Sequence, residues 1–232
     1  MSYRYQLSAD RRKRDTIFPP MAMEMTHVRF ALELIPQLAI VDRAAYFSGA
    51  VYPDSRYYTH IEREKTHGDH VPADPFHAGL SDFQKGWATH IFYDRCNKQP
   101  INDLSPIDLG PLSLNSPSHV FHTCVKVIED QNSYDMTDHS STIFSTMKIP
   151  AAPSGEDQGK LEHYYQILSD LYNNKPGIEN YLRYFAAWGC PQDGLDAIAA
   201  CYHSLIPQAN LINGITRLFP TTLAIALQAR NR

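Results

Sequence analysis

His90 and Asp94 stand four residues apart in Gly86-Trp87-Ala88-Thr89-His90-Ile91-Phe92-Tyr93-Asp94. On a helix that spacing puts an imidazole and a carboxylate on one face, where both can reach one ion or two neighbouring ions. Neutral imidazole nitrogen and ionised carboxylate oxygen are the donors that divalent cations take at about 2 Å, so the chemistry these residues offer is metal binding. Upstream, Gly49-Ala50-Val51-Tyr52-Pro53-Asp54 adds a second aspartate in a turn. Five of the eleven histidines (His60, His67, His70, His77 and His90) lie within residues 49–94.

The elements that must position these groups read as helices. Ser81 followed by Gln84 is a capping-box pattern, and the helix it opens is expected to run to about Cys96. At 100° per residue, Phe83, Trp87, His90 and Asp94 fall in one narrow stripe, apolar at its start and chelating at its end. A first helix is expected from about Ala22 to Leu34, carrying His27 on its apolar face and bent or ended by Pro36. A second is expected from about Gln37 to Ser48, with Leu38, Val41 and Ala45 inward and Gly49 as its stop. Residues 52–80 lack a sustained period and read as a long ordered loop, of the kind that usually carries function.

Downstream, Ser116-Pro117 is a capping signal for a helix to about Gln131, with Phe121, Val125 and Ile128 on one side. Further helices are expected over about 140–148, 160–173, 178–188, 192–205 and 208–230, with few strand signals anywhere. The fold class is therefore all-α: one helical domain over 21–232, an N-terminal arm at 1–20 and an internal linker at 149–159, where Pro150, Pro153 and Gly155 cluster.

A net charge of -4 over 232 residues, with one basic run at Arg11-Arg12-Lys13-Arg14, excludes a broad nucleic-acid footprint. That run is followed by Asp15-Thr16-Ile17-Phe18-Pro19-Pro20 instead of an apolar segment, and no stretch is apolar enough for a bilayer, so the sequence reads as soluble and cytoplasmic. Cys96, Cys124, Cys190 and Cys201 contain no CxxC pair, a pattern that fits reduced thiols.

Taken together, Gly49 to Asp54, Lys65-Thr66-His67 and Gly86 to His90 with Asp94 resemble the zinc-dependent phospholipase C family, whose all-α fold is shared with the S1/P1-type nucleases. His27, in Thr26-His27-Val28-Arg29-Phe30, matches the early histidine of that pattern, and the resemblance spans residues 25–96. It implies metal ligation by His27, Asp54, His67, His90 and Asp94, with His67 favoured over His70. It also implies a second role for Asp54, as the carboxylate that orients an attacking water. The chain departs from the secreted phospholipases in having no His-x-x-x-Glu after Asp94. One or two ions, zinc or another divalent metal, are expected instead of three, and nothing in the spacing selects His119, His122 or His139 to complete the site.

The resulting expectation is a metal-dependent hydrolase of a small-molecule or lipid phosphoester, with Lys65 and Arg56 as candidate phosphate neighbours. The alternatives are a non-catalytic helical metal-binding protein, or an HD-like phosphohydrolase. The last needs an adjacent His-Asp pair, and none of the histidines is followed by Asp.

Overall fold

The computed structural model describes residues 23–104 and 118–230, and every regular element among them is helical. Helix α1, Glu24–Leu34, ends at a 3-10 turn, Ile35–Gln37, where Pro36 cannot supply the next amide donor. Helix α2, Arg43–Val51, runs into a second 3-10 turn, Tyr52–Ser55, and then into the short helices α3, Arg56–Thr59, and α4, Arg63–His67. The long helix α5, Asp82–Asp103, follows. Beyond residues 105–117 come α6, Ser118–Asp135, and α7, Ser140–Ser145, then α8, Gln158–Tyr172, α9, Ile178–Ala187, α10, Gln192–Leu205, and α11, Ala209–Arg230. These helices form a single all-α domain around one apolar core. The expected arm at 1–20 and the Ser116-Pro117 cap lie outside the described residues.

Helix α2 departs from expectation at both ends. The backbone N–H groups of Val41 and Asp42 donate to Asp82 at 3.0 and 2.6 Å, and the Asp42 side chain caps the helix by accepting from the Ala45 N–H at 3.1 Å. The helix therefore starts at Arg43, and Val41, expected inward, is 93% exposed. Gly49, expected to stop the helix, lies inside it for a reason of space. A Cβ on Gly49 would sit 2.0 Å from the Phe83 carbonyl oxygen, and one on Gly86 would sit 1.9 Å from that of Tyr46. Helices α2 and α5 thus cross backbone against backbone, through a pair of glycines that face each other's chain.

Helix α1 packs on α2, α5 and α6, and α11 covers α5 and α6. The Tyr46 hydroxyl, 3.1 Å from the Ala31 carbonyl and 3.2 Å from Thr89 Oγ1, ties α1, α2 and α5 together. Capping by Ser81 and Gln84 holds as expected, but α5 continues past Cys96 and through Pro100 to Asp103. Its extra turns pack Ile101 into the core and hold Asn97 through the Thr222 hydroxyl at 2.9 Å, so tertiary contact overrides the proline. Residues 52–80, expected as a long ordered loop, carry the second 3-10 turn and helices α3 and α4. The four cysteines are free; Cys96, Cys124 and Cys201 are buried and Cys190 is half-buried.

The glycine crossing sets a direct test. Gly86→Ala forces a methyl into the Tyr46 carbonyl and is expected to cost about 3 kcal/mol or more in urea unfolding, the scale of an overpacked core. Gly159→Ala, in the first turn of α8 with only an Asp157 side-chain oxygen at 3.3 Å, should stay within about 1 kcal/mol of the parent.

Candidate metal centre

The five candidate ligands arrive on four elements. His27 is on α1, Asp54 in the 3-10 turn after α2, His67 at the end of α4, and His90 and Asp94 on α5. All five converge. Asp94 Oδ2 lies 3.5 Å from His90 Nε2 and 3.6 Å from His67 Nε2, while its Oδ1 lies 3.7 Å from His27 Nε2. Asp54 reaches His90 Nε2 with Oδ1 and His27 Nε2 with Oδ2, each at 3.9 Å. Both aspartates therefore offer one oxygen toward His27 and the other toward His90.

These separations are too long for good hydrogen bonds. They are close to the roughly 3.4 Å edge of a tetrahedron whose corners lie about 2.1 Å from a central ion. The Nε2 atoms of His27, His67 and His90, with Asp54 Oδ1 and Asp94 Oδ2, are buried and have no hydrogen-bond partner. Two overlapping groups of three, His27-Asp54-His90 and His67-His90-Asp94, each bring their ligand atoms within 4.8 Å of one another. A buried His/Asp cluster able to hold a metal ion is thus present.

The neighbours orient the donors. His90 Nδ1 is 2.9 Å from the Ala50 carbonyl, which can only accept, so that nitrogen carries the proton and Nε2 keeps its lone pair for the cluster. Ala50 follows Gly49, so the helix crossing itself sets the imidazole's tautomer. The Trp87 Nε1–H donates to the Thr66 carbonyl at 2.8 Å and fastens α4 to α5, while Thr66 Oγ1 sits 2.8 Å from His67 Nδ1. From α8, the Tyr164 hydroxyl donates to the Val51 carbonyl and that of Tyr165 to the Ser48 carbonyl, each at 2.9 Å, pinning the end of α2 that leads into Asp54.

Burial and mutual charge set the protonation states. Burial and the neighbouring His90 hold His27 well below the ordinary histidine range, and burial lowers His67. Burial raises Asp54. It also opposes ionisation of Asp94, but His90 and then His67 override it and hold that carboxyl well below its usual range. For His90 burial acts against the imidazolium, and Asp54 and Asp94 overcome it, so its pKa is raised.

Sequence reasoning missed a second buried polar layer behind the cluster. Glu24 accepts from the Tyr184 hydroxyl and lies 3.3 Å from that of Tyr164, Glu129 accepts from the Tyr93 hydroxyl at 2.7 Å, and Asp130 from Tyr172 and Tyr181 at 2.7 Å each. Lys126, 2% exposed, has no hydrogen-bond partner for Nζ. On α6 these residues occupy one helical face opposite Phe121, Val125 and Ile128, a pattern that reads as a solvated face until the packing against α1 is known.

The cluster opens, through His67 and Asp94, onto a cavity of about 500 Å³ whose lining also includes Arg63, Arg95, Lys98 and Lys126. His122 lines it as well, His139 is exposed, and the His119 side chain lies outside the described residues. Lys65 and Arg56, expected beside a phosphate, do not line it: Lys65 is exposed and the Arg56 guanidinium lies 3.9 Å over the Tyr57 ring. His60, His70 and His77 are exposed. No family model, curated protein or solved structure matches this chain.

The second layer predicts a pH dependence. Burial pushes Glu24 up to about 8 and Glu129 up to about 7. Above the ordinary carboxylate range and up to those values, the folded protein holds protons that the unfolded chain has released, so stability falls as pH rises. His90, raised, adds to the fall. His27 and His67, lowered, act in the opposite sense only below their ordinary 6.5. Metal-free protein is therefore expected to lose stability between pH 6.5 and pH 8, by up to about 1.4 kcal/mol per pH unit for each fully titrating group. Urea unfolding across that window should show a shallower slope for Glu24→Gln. An identical slope would contradict the assignment.

Proposed function

We propose that this protein is a metal-dependent hydrolase that cleaves a phosphoester, with one or two divalent ions, zinc foremost, held by His27, Asp54, His67, His90 and Asp94. The observation that carries the reading is the convergence of five unpartnered, buried donor atoms, two of whose residues, His67 and Asp94, line a cavity that Arg63, Arg95, Lys98 and Lys126 also line. The order and spacing of the same residues resemble the zinc-dependent phospholipase C family, which supports the scaffold independently of the geometry. Because His67 and Asp94 line the cavity, a ligand there can reach the cluster, whereas a closed structural site would need none of this access.

A divalent ion bound in such a site supplies hydroxide from water near neutral pH and stabilises negative charge developing on a phosphoryl oxygen. The chain's own residues do the rest. Hydrogen bonding of His90 Nδ1 to Ala50 and the contact of Thr66 with His67 fix two imidazole planes before ligand arrives. Asp54, in the turn facing both His27 and His90, is the carboxylate placed to orient a water and accept its proton. Arg63, Arg95 and Lys98 draw an anionic ester into the cavity.

Protein purified without added metal should carry about one or two equivalents of a divalent ion and hydrolyse a generic phosphate ester. The rate should fall below about pH 6 to 7 as histidine and hydroxide take up protons, and chelation should abolish it. Asp54→Asn should lower the rate by about 10²-fold or more while shifting stability little, since volume is kept and the charge that orients water is lost. Elemental analysis and turnover against a panel of mono- and diesters check this. Metal-loaded protein without turnover on the whole panel would overturn the hydrolase reading and leave a metal-binding protein.

A further inference from the structure

Lys126 is a buried cation that neither the His/Asp cluster nor the tyrosine-carboxylate layer takes up as a hydrogen-bonded partner. It lies within α6, is 2% exposed, and its Nζ has no hydrogen-bond partner and no carboxylate within 4.0 Å among the described residues. A buried ammonium without a hydrogen-bonded partner costs several kcal/mol; Asp94, Asp54 and Glu129 offset part of that cost through charge alone and leave its three N–H donors open to a ligand. The same residue lines the cavity that reaches His67 and Asp94. Arg63, Arg95 and Lys98 on that cavity make no ion pair among the described residues, and Asp94 is the only acid among the described residues lining it.

We propose that Lys126 binds the phosphoryl group itself, and that the cavity selects a small, doubly ionised phosphate monoester over a phosphodiester. This rests on the metal-hydrolase reading and deepens it. A monoester carries a second negative charge near neutral pH, whereas a diester carries one. With one oxygen on the metal site, a diester offers Lys126 only its second oxygen and a share of one charge, while a doubly ionised monoester offers two further oxygens and a larger share of two. A lysine is suited to the task as a compact point charge with three donors. The exposed Arg63, Arg95 and Lys98 then add attraction for a multiply charged ester, and the cavity's volume suits a small molecule.

The test is a titration of zinc-loaded protein with two probes, inorganic phosphate and dimethyl phosphate, at pH 7.5, with metal content measured alongside. The wild type should bind phosphate at least tenfold tighter than dimethyl phosphate. Lys126→Met, with metal content unchanged, should lose tenfold or more in phosphate affinity while its affinity for dimethyl phosphate stays within about twofold, and Lys126→Arg should recover part of the preference. A merely structural lysine would not move that ratio. A full metal complement with an unchanged ratio in Lys126→Met overturns the proposal and leaves the metal reading standing. Loss of metal in Lys126→Met also overturns it, because the lysine would then serve the ligand carboxylates. A wild-type protein that takes up no metal overturns both readings. Should Lys126→Met fail to fold, Arg95→Gln with Lys98→Gln carries the test: the preference must fall about threefold or more, and an unchanged preference overturns the proposal.

Discussion

Of six buried carboxylates among the described residues, Glu156 is held apart by the Ser154 N–H and five (Glu24, Asp54, Asp94, Glu129 and Asp130) share one helical core, where Lys126 is the only comparably buried lysine or arginine among the described residues. Removing an ion from water costs several kcal/mol unless a partner repays it, so this excess of acid governs what surrounds it. The core answers in two ways. Glu24, Glu129 and Asp130 are met by tyrosine hydroxyls from α5, α8 and α9, and burial raises all three. Asp54 and Asp94 are met by imidazole nitrogens at distances too long for hydrogen bonds. The first arrangement is self-sufficient when protonated. The second has room for a cation between the groups, so the same chain carries both a structural polar layer and one able to hold a metal ion.

Backbone geometry makes that second arrangement attainable. Crossing α2 and α5 through Gly49 and Gly86 brings the Ala50 carbonyl against the His90 ring and leads the chain directly into the turn bearing Asp54. Side chains between the two helices would hold them apart and with them the carbonyl, the imidazole and the carboxylate. Trp87 does the corresponding work for His67 by holding α4 through the Thr66 carbonyl. A residue that reads as apolar filling in the sequence thus positions a candidate ligand through its indole N–H.

The helical periods, the Ser81 cap and the His90/Asp94 stripe were legible because each depends on local chemistry: hydrophobic spacing, a side chain accepting from N3, and i, i+4 geometry. The convergence of His27, Asp54 and His67 on that stripe was legible only through motif resemblance, since it depends on long-range packing that periodicity does not encode. What stayed hidden had the opposite character. Gly49 looked like a stop because glycine ends helices, whereas its task is to admit another backbone. Lys126, Glu129 and Asp130 carry no local signal of a buried layer, and only the packing of α6 against α1, with the Tyr93 hydroxyl of α5 on Glu129, shows that face to be interior. The end of α5, expected near Cys96, is likewise set by packing, since the burial of Ile101 carries the helix through Pro100 to Asp103.

The central claim is that the imidazole and carboxylate donors are held apart by a cation. Anomalous diffraction from crystals of protein purified without chelator, recorded on both sides of the zinc absorption edge, measures this directly. The account predicts one or two anomalous peaks inside the cluster, within about 2.0–2.2 Å of His90 Nε2, His67 Nε2 and an oxygen of Asp94. A cluster with no peak, its aspartates and histidines closed onto one another by direct hydrogen bonds or bridging waters, would contradict it, as would metal found only on the exposed His60 and His70.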